Sequence, residues 1–484
     1  MEYFRYFLNF IFEYCIFYYS LAVMSSYLVL VILSILEIGR YKARYKAMNY
    51  QALLNSPFVP GISVIAPAYN ESATIRNGVH TLLALNYPKF EVIIINDGST
   101  DDTLEQLIDE YELKEVDFAY NEEIVTQPVK RIFKSTNPVF SKLTVIDKTN
   151  GKSKADASNA GINIANYPLF LCTDIDCILH QDTLIKMVKP FVEETTRVIA
   201  TGAVIRIANS CELENGYMKR VKVASGFLPL FQELEYIRAF LLGRMAWSRI
   251  NGLMLVSGGL GLFDKEIVLK AGGYNHVSFG EDMELITRMR IWMHDQKLKY
   301  KVTYIPDSLC WTEVPSTLKV FGNQRTRWAK GLIQTIWFHK KAFFNPKYKI
   351  FGMLSFPYWV FFEWLAPIIE ATGILFYIYL IVSGHITWSY TLIMLAFIYS
   401  FSVMVTIISI LWDEISGSHY TKKREIFKLC LAAMVEPFVF HPIVLFFSIK
   451  GNWFFFTRKQ LKWGDMKRKG FNDSNTLVYQ NEQP

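Results

Sequence analysis

The stretch Thr173-Asp174-Ile175-Asp176 ends the apolar run Leu169–Cys172. Two carboxylates at i and i+2, at the carboxyl end of a buried strand, can share one divalent cation. Oxygen ligands suit magnesium or manganese, ions that also bind substrate phosphates. A lone D-x-D recurs by chance, and a solvated loop is its ordinary alternative. Asp97 closes the run Ile94-Ile95-Asn96-Asp97-Gly98-Ser99. It can accept hydrogen bonds from a base or ribose, or simply form a helix-capping turn. In Gly151-Lys152-Ser153-Lys154, a lysine at a glycine turn before a helix can balance phosphate charge with help from the helix N-terminus. A solvated basic turn explains it equally well in isolation. Asp282, in Phe279-Gly280-Glu281-Asp282, stands at a loop-to-helix junction. It can cap that helix, or act as a general base for a hydroxyl, a very weak acid that attacks poorly unaided. In Gln324-Arg325-Thr326-Arg327-Trp328, two arginines can clamp a diphosphate and the tryptophan offers a flat face to a sugar ring. The alternative is a basic juxtamembrane segment with an interfacial aromatic. All five ordinary explanations have to hold together for the functional reading to fail.

The elements that must position these residues lie between about Gly61 and Lys340. Short apolar runs at Ile62–Ala68, Phe90–Asn96, Leu143–Ile146, Leu169–Thr173 and Thr201–Ile207 predict strands. Helix-like stretches at Ser72–Leu85, Asp101–Tyr111 and Lys154–Ala165 separate them, and Met283–Trp292 follows Asp282. Strand–helix alternation predicts an α/β domain with a mostly parallel sheet, whose ligands bind at the strand carboxyl ends. Ser99 and Thr100 are candidate caps for the second helix. The charged stretch from about Glu112 to Ser141 has no clear period and reads as a surface insertion.

The chain has 484 residues, 51% hydrophobic and 20% charged, a balance that fits one soluble domain plus membrane segments. Cys15–Leu36 predicts one bilayer span, and Tyr358–Val382, Trp388–Trp412 and Phe427–Ile449 predict up to three more. The last holds Glu436, Pro437, His441 and Pro442, which predicts a broken or re-entrant segment. The expected organisation is a membrane segment and basic linker (1–50), a catalytic domain (60–340), interfacial and membrane helices (341–450) and a basic tail (451–484). Basic residues cluster at Arg40–Lys46 and Arg458–Lys469, next to apolar segments. That pattern points to a lipid bilayer, with the domain on the cytoplasmic side of the plasma membrane, and away from nucleic acid. Six cysteines without C-x-x-C pairing read as free thiols in a reducing compartment.

Taken in order, Ala66-Pro67-Ala68-Tyr69-Asn70-Glu71, Asn96-Asp97-Gly98-Ser99, Lys154-Ala155-Asp156-Ala157-Ser158-Asn159, Asp174-Ile175-Asp176, Gly280-Glu281-Asp282 and the Gln324–Trp328 pentad resemble the inverting family 2 glycosyltransferases. The likeness is to the processive membrane synthases of cellulose, chitin, hyaluronan and poly-N-acetylglucosamine. It implies a GT-A fold and a cation, Mg2+ or Mn2+, held by Asp176. It also implies transfer from a UDP-sugar to a growing β-linked polysaccharide. Tyr69, Glu71 and Asp97 would hold the uridine. Lys154 would approach the diphosphate and Asp174 the nucleotide. Asp282 would deprotonate the acceptor hydroxyl, while Gln324, Arg325 and Arg327 would grip the diphosphate. Trp328, Glu281 and the Gly258-Gly259 turn would line the acceptor side. A secreted product would also fit an export or accessory subunit as partner. Transfer of one sugar to a lipid phosphate, or a membrane scaffold or transporter that merely binds nucleotide, are the competing readings.

Overall fold

The computed structural model describes residues 10, 14–45, 54, 56–214, 217–417, 420 and 422–459. The residues before 10, Lys46 of the first basic cluster and the basic tail beyond 459 lie outside that set.

Four runs rich in isoleucine, valine and leucine form the parallel heart of a ten-stranded sheet: β1 (Ile62–Ala68), β2 (Phe90–Asn96), β5 (Leu143–Lys148) and β6 (Leu169–Thr173). Their side chains are almost all buried, because helices cover both faces, so the strands read as apolar blocks and not as alternating patterns. The order is β3-β4-β5-β2-β1-β6-β11-β8-β12-β7, in which β7 is the two-residue strand Ile178–Leu179. Register brings the carboxyl ends level, with Ala68 opposite Asn96 and Asn96 opposite Asp147. The turns that follow β1, β2, β5 and β6 therefore open on one edge. β11 (Leu260–Asp264) runs antiparallel to β6, with Leu260 opposite Thr173. The Gly258-Gly259 turn that enters β11 is thereby set beside Asp174. β8 (Val198–Ile207) and β12 (Lys301–Thr312) continue the sheet as a parallel pair.

Two sequence expectations change. The stretch from Glu112 to Ser141 is not a plain insertion: it supplies β3 (Leu113–Glu115) and β4 (Val129–Ser135), which pair antiparallel onto β5. At this sheet edge only Leu113, Ile132 and Phe133 of the two strands are buried, too few to print a period. Ser99 and Thr100 do not cap the helix Thr103–Glu110, whose N-cap is Asp102; Asp101 Oδ1 instead accepts from Thr103 N at 3.1 Å. Ser99 Oγ accepts from Asn70 N at 3.0 Å, and Thr100 N donates to Asn70 Oδ1 at 2.8 Å. Both residues are spent tying two site-forming turns together.

Helix Leu318–Phe338 carries the pentad and packs along helix His441–Phe456, with Gly322 against Phe447 and Gly451 against Ala329. Among the described residues, three helical segments are long and apolar enough to cross a membrane: Ile16–Arg44, Phe351–Val382 and Trp388–Gly417. Lys423–Val439 and His441–Phe456 form a fourth candidate, bent by 48° at the break between them, where the sequence places its prolines.

Candidate active site

Each strand end contributes one piece. After β1 the chain turns through Asn70 at φ 55°, a left-handed conformation that asparagine tolerates, leaving Tyr69 45% exposed at the rim. Glu71 N donates to Thr103 Oγ1 at 2.9 Å, and Glu71 Oε2 accepts from Thr74 Oγ1 at 2.7 Å. After β2, Asp97 N donates to Ala68 O at 2.9 Å, which sets the two turns side by side. Asp97 Oδ1 accepts from Lys148 Nζ at 2.8 Å and Gly151 N at 3.0 Å. Burial pushes the Asp97 carboxyl above its usual range, against the pull of Lys148 and Gly151. Lys148 is fully buried and also holds Asp156 at 2.5 Å. It is a site-supporting residue that sequence reading misses, because the apolar run ends at Ile146, two residues before β5 does. Beyond Lys154, motif residue Asn159 has a structural task, bonding Tyr274 N and O at 2.8 and 2.9 Å.

After β5 the chain enters helix Lys154–Ile164, capped by Ser153 Oγ accepting from Asp156 N at 3.2 Å. Lys154, at its first position, reaches across β6: Nζ makes a short contact with Asp174 Oδ1 and donates to Gly258 O at 2.6 Å. Burial opposes its charge, but Asp174, Cys172 and Glu281 outweigh that and hold its pKa above the ordinary lysine value. The glycine turn is the hub. A Cβ on Gly258 would stand 3.3 Å from Asp282 Oδ2 and 3.8 Å from Lys154 Nζ. One on Gly259 would stand 3.6 Å from both Asp174 Oδ2 and Cys177 Sγ. Asp282 and the D-x-D therefore face one another across a turn with no side chains.

Asp282 lies in the first turn of helix Glu281–Asp295, whose N-cap is Gly280; its Oδ1 accepts from Met283 N at 2.8 Å, and its Oδ2 faces Gly258. Beside it, burial and the Asp282 carboxylate push the Glu281 carboxyl up to about 7, against Lys154 and Arg327. Arg327 thus belongs to the same cluster. It is brought there by close packing of two glycines: Gly280 and Gly331 meet backbone to backbone, and Phe279 N donates to Gln334 Oε1 at 2.9 Å.

The two-arginine clamp does not form as expected. Residues two apart on a helix point about 200° apart, so Arg325 and Arg327 cannot face one ligand together. Arg325 is buried on another side of helix Leu318–Phe338, in a short ion pair with Glu235. Its guanidinium carbon lies 4.8 Å from the Phe321 ring centre and 4.5 Å from that of Trp328. Gln324 Oε1 is buried with no hydrogen-bond partner among the described residues. Glu235 was not singled out in the sequence, where it sits in an unremarked amphipathic helix; neither was Gly331, which a lone glycine in a helix gives little reason to choose.

The donor set fits a hard divalent cation. Ligand atoms of Asp174, Asp176 and Cys177 lie within 4.8 Å of one another. The two carboxylates suit magnesium or manganese. Cys177 Sγ is a soft sulfur donor and the poorer partner for such an ion. Asp174 and Asp176 are the carboxylates placed to hold such an ion.

Residues 269–419 match a family model described as chitin synthase. The poly-beta-1,6-N-acetyl-D-glucosamine synthase of Staphylococcus aureus (strain COL) is 29% identical over 287 residues, 59% of this chain and 58% of that protein. The enzyme of the same name from Staphylococcus epidermidis (strain ATCC 35984 / DSM 28319 / BCRC 17069 / CCUG 31568 / BM 3577 / RP62A) is 27% identical over 298 residues, 60% and 61% of the two. The chain thus spans about three fifths of the length of the curated relatives it matches. Among solved structures, mannosyltransferase PcManGT from Pyrobaculum calidifontis aligns with a TM-score of 0.48 at 17% identity, over 91% of this chain and 99% of that one. S. aureus TarS 1-349 aligns with a TM-score of 0.37 at 15% identity, over 63% and 73%. Residues 60–331, more than half of the chain and the whole span from β1 through the pentad, match the model described as glycosyltransferase like family 2, and to that family this chain belongs.

Proposed function

We propose that the chain is a membrane-embedded inverting glycosyltransferase that moves a sugar from a UDP-sugar onto a growing β-linked polysaccharide of the poly-N-acetylglucosamine or β-glucan kind. The observation that carries this reading is the Gly258-Gly259 turn, with Asp282 on one side and Lys154 with Asp174 on the other. A base and a phosphate-binding group that flank one side-chain-free strip leave room for a sugar between them.

In the mechanism, Tyr69, Glu71 and Asp97 bind the uridine at the ends of β1 and β2. Lys154, held positive, and Arg327 face the diphosphate and stabilise the charge that builds as it leaves. A divalent cation held by Asp174 and Asp176, Mg2+ or Mn2+, would supply further charge neutralisation at the diphosphate. Asp282 accepts the proton of the acceptor hydroxyl. The hydroxyl oxygen bonds the donor's anomeric carbon as the bond from that carbon to the phosphate oxygen breaks, with inversion. The product would leave along the apolar helices packed against the pentad helix, toward the bilayer.

The test uses the full chain in detergent with manganese or magnesium and a panel of UDP-sugars, scored for released UDP and for polymer. UDP release with polymer of many units is expected from at least one donor. Asp282→Asn should lower the rate by about 10²–10⁴-fold. A single sugar added to a polyprenyl phosphate, with no polymer, would replace this reading; no UDP release from any donor would end it.

A further inference from the structure

The helices that bear Asp282 and Arg327 meet one stretch of chain beside the bilayer. Helix Leu318–Phe338 runs into two short helical turns, Lys340–Ala342 and Pro346–Tyr348. These lead directly into the candidate span Phe351–Val382. A segment continuous with a span lies where the bilayer surface begins. From Trp337 to Ile350 the sequence has four lysines and no Asp or Glu. Trp337, Phe344 and Ile350 are each about half exposed, and Phe338 and Phe343 are exposed as well. Soluble surfaces rarely show so many large apolar side chains in one short run. The four lysines are exposed too. Lys347 meets Asp295 at 2.5 Å, and Lys341 stands 3.9 Å from the same carboxylate. Lys340 and Lys349 form no ion pair among the described residues, and Lys340 Nζ stands 5.2 Å from the Trp337 ring centre. The inner side of this segment is joined to the base. Met283, next to Asp282, shares a buried cluster with Ile291, Ile336, Ala342, Tyr348 and Phe351. The Arg290 guanidinium carbon lies 5.4 Å from the Phe351 ring centre, and the His294 ring lies nearly parallel to that ring with centres 6.5 Å apart. Asp295, which holds Lys347, ends the same helix.

We infer that residues 337–350 are a docking surface for acidic phospholipid headgroups, and that their engagement holds the helix of Asp282 in its working position. This deepens the proposed function and rests on it. A lysine binds phosphate as a point charge on a flexible stem, which suits headgroups that move in the plane of the membrane. The exposed aromatic and aliphatic side chains enter the boundary between headgroups and acyl chains, with the lysines reaching outward to the phosphates. A neutral headgroup surface leaves Lys340 and Lys349 without a counter-charge. A second copy of this chain docked by the same face would set lysine against lysine. The segment acts through position: no bond of the reaction is made or broken on it.

The experiment places the full chain in nanodiscs of phosphatidylcholine alone or with an equal part of phosphatidylglycerol. It follows UDP release from whichever UDP-sugar the wild type uses, and native mass spectrometry counts the phosphatidylglycerol bound per chain. The wild type is expected to turn over at least fivefold faster in the acidic discs and to lose that gain at high salt. Each lysine at an acidic surface is worth about fivefold in binding, so Lys340→Gln, Lys341→Gln and Lys349→Gln together should weaken it by about 10²-fold. This triple variant should bind little phosphatidylglycerol and turn over equally in both discs. A role in packing alone would slow it by the same factor in both and leave the wild-type ratio between them, which would overturn the inference. A wild type with one rate in both discs would overturn it too. No UDP release from any donor would end the proposed function, and the effect on the Asp282 helix with it. The lipid count then judges the docking surface by itself, and equal counts in wild type and variant would overturn that. Stabilisation by UDP on heating reports folding; if the triple variant fails it, Lys340→Gln with Lys349→Gln is judged by the same criteria.

Discussion

Gly331→Ala tests whether the meeting of two helices without side chains is what sets the arginine against the base. The new Cβ would lie 2.5 Å from Gly280 N and 2.8 Å from Gly280 Cα and Phe279 C. Ordinary carbon contacts begin near ~3.5 Å, so the two backbones must part by roughly 1 Å. Every obstructing atom is main chain, and no rotamer change relieves the clash. The overpacking should cost about 1–3 kcal/mol. Alanine's better helix propensity returns about 1 kcal/mol of that. The net loss of stability is then small, ~0–2 kcal/mol, but the geometric effect is not. Arg327 lies one turn before Gly331, and Asp282 two residues after Gly280. A displacement near 1 Å between catalytic groups can cost about 10²-fold in rate. UDP release should therefore fall by about two orders of magnitude while the thermal transition moves little. Gly39→Ala is the control: a Cβ there meets nothing within 4 Å, so UDP release should not change and the transition should move only by the helix-propensity gain of about 1 kcal/mol. If Gly331→Ala kept full kcat and an unaltered transition, the contact would not be what holds these elements in register.

Two further outcomes follow from buried charges. Replacing Lys148 with methionine strands Asp97 and Asp156 without their shared cation; loss of one partner from a buried pair costs about 3–5 kcal/mol, so the midpoint of denaturant unfolding should fall accordingly, and an unchanged midpoint would show that the trio is not held as described. Glu281, with its carboxyl raised to about 7, binds a proton in the folded state that the unfolded chain has already lost, so stability should decline as pH rises from the usual glutamate range through 7. Glu281→Gln should flatten that decline in thermal unfolding followed across pH, and an identical slope in the variant would count against the burial of this charge.

What could be read in the sequence follows from how far each signal travels along the chain. β1, β2 and β6 keep the limits their apolar runs suggest, because strands buried on both faces need unbroken hydrophobicity and end where a polar turn begins. The same logic located Asp97 and Asp174, which directly follow β2 and β6. It failed at β3 and β4, whose exposure erased the pattern, and at β11, a five-residue strand recognisable only by its place beside β6. The pentad marks the opposite limit. Its residue types suggest anion and sugar chemistry, but a clamp of both arginines requires that neighbours in sequence be neighbours in space. A helix over Leu318–Phe338 forbids that for residues two apart. The partners of these side chains came from distant chain: Arg325 meets Glu235, ninety residues earlier, and Arg327 reaches the Glu281 cluster only because Gly280 and Gly331 touch. Such couplings are set by packing between helices, and packing of this kind leaves almost no mark on sequence beyond a small residue where two backbones meet. A glycine in the middle of a helix, where it costs about 1 kcal/mol relative to alanine, is that mark. Gly322, Gly331 and Gly451 each sit against another helix or loop at distances a methyl group could not occupy. Read that way, the helical glycines near the pentad point to how that helix is held between the sheet domain and the apolar helices, and to why its two arginines face different neighbours.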